Sequence, residues 1–238
     1  MRADTNTGSL DWAKAWMCVT FTRGLGPDEV FARYGADPER ARLLDRDASS
    51  EMLPEDADDG PVSLPRAGRL GEWAFCVEED GTIGFGEEAL AELSRGTETY
   101  GVATTEGIDV FQYWRDGECV EYFEPGMEHS RSAPHGPWWD RVEEALAAHE
   151  GEGAGMAPVV ALVLGHLGIT LDDAVLAGAW PSLTLAEDDA PTAGPGGTYA
   201  GEGPVPPGAS ISRSVGQSRK STTTQPACPS SVRPIQTG

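Results

Sequence analysis

Lysine is nearly missing from this chain: two of its 238 residues are Lys, and with 15 Arg they face 39 acids, a net charge of −22. The shortage is sharpest in residues 1–190, which hold 38 acids against 13 Lys and Arg, a net of −25. Residues 191–238 hold one acid against four bases, a net of +3. An acidic body repels phosphate backbones and anionic membranes, so neither nucleic acid nor a membrane is expected as its partner. A basic protein is the partner such a field attracts.

Cysteine is equally sparse. Cys18, Cys76, Cys119 and Cys228 stand far apart with no Cys-x-x-Cys pair, and three of them fall in expected strands. A disulfide framework belongs to small, cysteine-dense chains, so reduced core thiols are expected. Long apolar runs are also lacking. The N-terminal "MRADTNTGSLDW" has no apolar stretch of the signal-peptide kind, and "MAPVVALVLGHLGI" is short for a membrane span and carries His166. The cytoplasm is the expected compartment. Gly-x-Ser-x-Gly is absent, which removes the nucleophile elbow.

What is present begins with "CVTFTRGLGPDEVFARYG", residues 18–35, in the order strand, Gly-x-Gly turn, helix. A phosphate loop would need a third glycine at position 29, where Glu29 stands. Pro27 offers no N–H, and Asp28 and Glu29 put negative charge where the phosphate would sit. The stretch reads instead as a strand joined to a helix, with Pro27 at its start and Gly35 as its stop.

Elsewhere, "SLDWAKAW" suggests an opening helix with Trp12 and Trp16 on one face, and "MCVTFT" a strand with Met17, Val19 and Phe21 inward. "DPERARLL" suggests a further helical turn, and residues 45–60 an exposed acidic loop. "GEWAFCVEEDGTIGFG" alternates as a hairpin that turns at Glu79-Asp80-Gly81 and returns through Ile83 and Phe85. "EEALAELSRG" is a helix. "TYGVATTEGIDVFQYWRDGECVEYFEPG" gives three strands with turns at Glu106-Gly107 and Asp116-Gly117. "GPWWDRVEEALAAHE" is an amphipathic helix with Trp139, Val142 and Leu146 inward, and "APVVALVLGHLGI" a buried one. Thr170 and Asp173 form a weak capping box for "LDDAVLAG". Together these predict an α+β domain over residues 1–190, with an antiparallel sheet of five or six strands and helices on one face. Of the 48 residues from 191 to 238, 29 are Pro, Gly, Ser or Thr, which predicts a disordered tail.

The stretches "WMCVTFTRGLGPDEVFARYGADP", "GEWAFCVEEDG", "LSRGTETYGV", "FQYWRDGECVEYFEP" and "ALVLGHLGITL" together resemble an uncharacterised actinobacterial family, common in streptomycetes and catalogued as a domain of unknown function. The resemblance spans roughly residues 10–185. It implies an α+β domain and carries no catalytic or binding residues.

The remaining patterns fail at particular residues. Zinc would need short Cys and His spacing, and Cys119, His129 and His135 lie at gaps of ten and six. Asp56, Asp58 and Gly60 fall short of a calcium loop, which would need a Glu where Arg66 stands. No metal and no cofactor is therefore expected. His166, near the end of its helix, reads as core packing. Arg23 and Arg95 each follow a regular element and precede a glycine, while Glu78 and Glu124 fall at strand ends. Arg beside carboxylates at a sheet edge makes a bidentate pair or a small anion site. Trp114, before the Asp116-Gly117 turn, is a candidate contact residue, and "PHGPWW" a second apolar anchor. Arg23, Glu78, Arg95 and Trp114 are thus the candidate ligand- or partner-binding residues, and no catalytic residue is assigned. The expected function is a non-catalytic binding or regulatory module, an immunity or accessory role being one version. The alternative is a hydrolase- or transferase-like enzyme with an acidic cleft.

Overall fold

Strand β1, Met17–Arg23, lies at the middle of the protein and is buried along nearly its whole length. The computed structural model describes residues 8–53, 62–79, 81–105, 107–133, 136–149 and 154–186. The tail at 191–238, the acids at 54–60, Glu106, His135 and Cys228 lie outside the described residues. After β1 come α1 (Pro27–Arg33), β2 (Arg42–Leu44), α2 (Arg46–Ser50), β3 (Val62–Ser63), β4 (Pro65–Leu70) and β5 (Trp73–Glu78). Then follow α3 (Glu87–Ser94), β6 (Glu98–Thr105), β7 (Ile108–Arg115), β8 (Glu118–Phe123), α4 (Trp138–Ala147), α5 (Ala157–Leu167), α6 (Asp173–Leu176), β9 (Trp180–Ser182) and β10 (Leu185–Ala186).

Among the described residues the strands form an eight-stranded antiparallel sheet in the order β2-β9-β4-β5-β1-β6-β7-β8, beside a two-stranded β10-β3 pair. The fold is α+β, with more strands than the five or six expected. The additions are β2, β4 and β9. Each is a run in which Arg, Pro or Gly interrupts the alternation that marks a strand.

The expected single covering of helices is also corrected. Met17, Val19 and Phe21 pack with Trp73, Phe75, Val102, Phe111 and Phe123 against α4 and α5. On the opposite face, Ala67, Ala74, Cys76 and Trp114 pack against Val30, Phe31 and Tyr34 of α1 and Leu90 and Leu93 of α3. Thr20 and Thr22, on the face opposite Met17, Val19 and Phe21, are sealed by that second layer. Thr20 Oγ1 is 3.3 Å from Tyr34 Oη, and Thr22 Oγ1 is 3.0 Å from Thr99 Oγ1. Hydrogen bonding is what makes buried hydroxyls tolerable.

Local chemistry explains the element ends. Glu29 reaches back to the start of α1 and accepts Gly26 N–H at 3.0 Å, one half of a capping box, since glycine has no side chain to supply the other. Arg33 at the end of α1 donates to the carbonyls of Glu92, Leu93 and Arg95 at 2.9, 3.0 and 2.9 Å, closing the C-terminus of α3. Asp116 (φ 52°) and Gly117 (φ 81°) make the β7–β8 turn, a two-residue connection whose left-handed backbone matches the strand twist. The cap of α6 is Asp172, which accepts Val175 N–H at 2.8 Å, rather than Thr170.

Two further readings change. Ile83–Phe85 is a 3-10 turn, and β5 forms its hairpin with the preceding β4. The opening helix is a 3-10 turn over Asp11–Lys14, so Trp12 is buried while Trp16 swings out. Along β8, one edge of the sheet, Ser132 Oγ accepts Tyr122 N–H at 2.9 Å, Ser132 N–H donates to Tyr122 O at 2.8 Å, and Ser130 Oγ accepts Glu124 N–H at 2.7 Å. No helix among the described residues is long and apolar enough to cross a membrane.

Candidate functional site

At one end of the sheet the register sets Arg23 of β1, Glu98 of β6 and Arg115 of β7 in a row across the strands. Glu98 is mostly buried. It accepts from Tyr113 Oη at 2.9 Å and Arg115 Nη2 at 3.2 Å, and Arg23 Nη1 stands 3.5 Å away. Burial would raise its carboxyl, but the bonds from Tyr113 and Arg115 and the two guanidiniums outweigh it and hold the group below its ordinary value. Arg23 also pairs with Glu72 at 3.0 Å. The three side chains, with Gly96, Thr97 and Asp116, border an open hollow of about 560 Å³. Every charge in the row has a partner within it. Ion pairs with Glu72 and Glu98 hold Arg23 at the rim of this hollow.

Glu78 lies at the other end of β5 and is fully buried. Its carboxylate accepts Ile83 N–H at 3.0 Å, Gly84 N–H at 2.7 Å and the Ser63 hydroxyl. Burial pushes the carboxyl above its ordinary value, and these donors pull it back. The group is closed to any ligand. It fastens the turn after β5 onto the sheet. Gly84 has no side chain because a Cβ would collide with Tyr34 Oη and the Glu78 carboxylate. The neighbouring Cys18 and Cys76 are free, buried thiols whose ionisation is pushed well up, chiefly by burial. Cys119 is disulfide-bonded, which corrects the expectation of a reduced core thiol there. It lies on the edge strand β8 and only part of it is covered.

The other two candidate residues do not join a site. Arg95 is exposed and pairs with Glu92, one turn back on α3. Trp114 is 3 % exposed and packs in the α1/α3 layer, its indole N–H donating to Gln112 Oε1 at 2.9 Å. It is a core residue, not a contact residue, because its face of β7 is covered by α3. In "PHGPWW", Trp138 is buried, and its backbone N–H reaches the Glu121 carboxylate at 3.1 Å. His166 stacks edge-on to Trp138 at 4.9 Å, with Tyr100 Oη 3.4 Å from Nε2. Among the described residues no group of three or more His, Cys, Asp or Glu is placed to hold a metal.

The residues that the sequence left unassigned are Trp16 and Glu79. Trp16 is 54 % exposed, whereas Trp12, Trp73, Trp114 and Trp138 are buried and Trp139 and Trp180 partly so. It stands over a groove of about 180 Å³ whose walls include Met17, Val62, Glu79, Ile83, Thr104 and Thr105. Ile108, 40 % exposed, pairs with Thr105, and exposed Asp109 pairs with Thr104. The available signal was the four-residue length of "DWAK" before β1, too short to carry Trp16 back to the face of Trp12.

The model of a family described as "family of unknown function (DUF6461)" matches residues 5–151, more than half of the chain, and the chain belongs to that family. No curated protein and no solved structure matches it.

Proposed function

We propose that this member of the family, actinobacterial in origin as the resemblance implies, is a non-catalytic binding or regulatory module of the cytoplasm that works by contact with a basic protein. The observation that carries the reading is the exposed Trp16 at the rim of a surface groove, on a chain of net charge −22. Contact surfaces concentrate their binding energy in a few aromatic anchors, and a surrounding field of one sign selects and steers partners of the other. Trp16 can serve as such an anchor because burying it on association costs the fold nothing. Trp114, fixed in the core, cannot.

The test is capture from extract by the full chain and by Trp16→Ala in parallel. The expected result is a basic protein retained by the first and lost by the second, with retention falling as salt rises. A partner that is acidic, or one held equally by Trp16→Ala, overturns the proposal.

A further inference from the structure

We infer that the open hollow bordered by Arg23 and Arg115 binds a small zwitterion, a free α-amino acid, with its carboxylate on the guanidiniums and its ammonium on Asp116. The site lies at the end of β1 remote from Trp16 and is independent of the contact reading above. Its volume of about 560 Å³ falls within the roughly 300–1,000 Å³ of small-molecule sites.

The ion pairs at this end of the sheet leave groups unspent. Arg115 engages Glu98 and the Tyr113 hydroxyl through Nη2 alone, and its Nε and Nη1 have no partner among the described residues. Arg23 engages Glu72 through Nη2 and Glu98 through Nη1, which leaves its Nε. Asp116 accepts Gly96 N–H through Oδ1 and keeps Oδ2. These groups are open to a ligand: the Arg23 side chain is 53 % exposed, that of Arg115 62 %, and Asp116 is exposed as well. The backbone donors of the hollow are already used. Gly96 N–H goes to Asp116, Thr97 N–H to Ser94 O and Asp116 N–H to Thr97 O. A phosphate, with more oxygens to satisfy and more charge to balance, would outrun this supply, whereas a carboxylate suits the guanidinium donors that remain.

Charge decides the rest. The hollow is lined by two cations, Arg23 and Arg115, and two acids, Glu98 and Asp116, on a chain of −22. A free anion is not drawn into such a place, and a free cation would meet the guanidiniums. A molecule that carries both charges a few bonds apart answers the unspent donors and the unspent acceptor together, with no net charge of its own. The receiving groups are also held in place beforehand. The Arg115 guanidinium lies 5.4 Å from the centre of the Tyr113 ring, and Thr97 Oγ1 donates to Arg23 O at 2.8 Å. Such preorganisation lowers the cost of binding.

The experiment is a ligand-observed NMR titration of the full chain at physiological salt with each of the common L-amino acids in turn. The tightest ligand is then compared with its α-amide, which lacks the carboxylate, and its N-acetyl derivative, which lacks the ammonium. At least one amino acid should bind, and neither derivative should bind measurably. Arg115→Lys, which keeps a positive charge beside Glu98, should weaken the amino acid by about tenfold, the order of one charge-assisted hydrogen bond. Asp116→Asn should weaken it comparably. Asparagine tolerates the left-handed backbone of the turn and retains an Oδ1 acceptor for Gly96, so the loss reports the ammonium contact. The comparison with the two derivatives needs no variant and stands whatever the variants do to folding. Failure of every amino acid to bind, or an amide or N-acetyl derivative that binds as well as its parent, overturns the inference.

Discussion

Glu78 Oε1 accepts the backbone N–H of Gly84 at 2.7 Å, six residues along the chain, in a place with no exposure to water. With Ile83 N–H and the Ser63 hydroxyl on the other oxygen, one carboxylate joins β3, β5 and the turn between β5 and α3. Removing it leaves two buried N–H groups without acceptors. Glu78→Ala should therefore lose about 2–4 kcal/mol of unfolding free energy in urea. Gly84→Ala should lose a similar amount by forcing a methyl into Tyr34 and Glu78. A change under about 0.5 kcal/mol in both variants, the range of ordinary surface substitutions, would contradict the fastening role.

The two most different tryptophans give opposite expectations. Trp114→Ala opens a cavity in the α1/α3 layer and should cost about 3–5 kcal/mol. Trp16→Ala should stay within about 0.5 kcal/mol of the parent. Urea midpoints of the two variants, measured side by side, decide the matter. A large loss for Trp16→Ala would place that indole in the core.

His166 faces Trp138 and Tyr100, with Arg141 and Glu98 acting on it by charge. Partial burial is the largest influence and Arg141 the next, both lowering its value below 6.5, while Glu98 opposes them. As pH falls, the unfolded chain takes up this proton first. The contribution of neutral His166 to stability is full above 6.5 and is lost as pH falls through the lower folded value. A proton NMR titration of the His166 ring should give a midpoint below 6.5, and Arg141→Ala should raise it. A midpoint at or above 6.5 in the parent would refute this arrangement.

Association with a basic partner should slow clearly between low salt and physiological salt, where the screening length is about 8 Å. Stopped-flow rates at several salt concentrations give the slope. DNA and RNA columns at physiological salt should show no retention of the protein. Tight binding to either nucleic acid would reverse the argument from charge.

Much of the sheet could be read from the sequence because its signals are local. Asp116-Gly117 announces a hairpin turn, and Met17, Val19 and Phe21 alternate as the inward face of a strand does. The second helical layer could not be read this way. It is what makes Thr20, Thr22 and Trp114 interior residues, and nothing within a few positions of them carries that information. The same limit applied to Glu78, whose place at a strand end suggested a ligand until the following turn folded over it. Arg23 read as a candidate for an ion pair or a small anion site, and its partner Glu98, 75 positions away, is supplied only by strand pairing. Trp16 was missed because an α-helical spacing was applied to a 3-10 turn.

Ser130 and Ser132 give the serine bonds along β8 a meaning beyond the fold. They occupy positions that the backbone of a ninth strand would take beside Tyr122 and Glu124, so this end of the margin is closed to another chain. The opposite margin, β2, is three residues long and begins with Arg42, too brief and too charged to be a good template. At a total charge of −22, identical copies also repel one another. Like charge and short or covered strand margins act against the same event, the edge-to-edge pairing of identical copies.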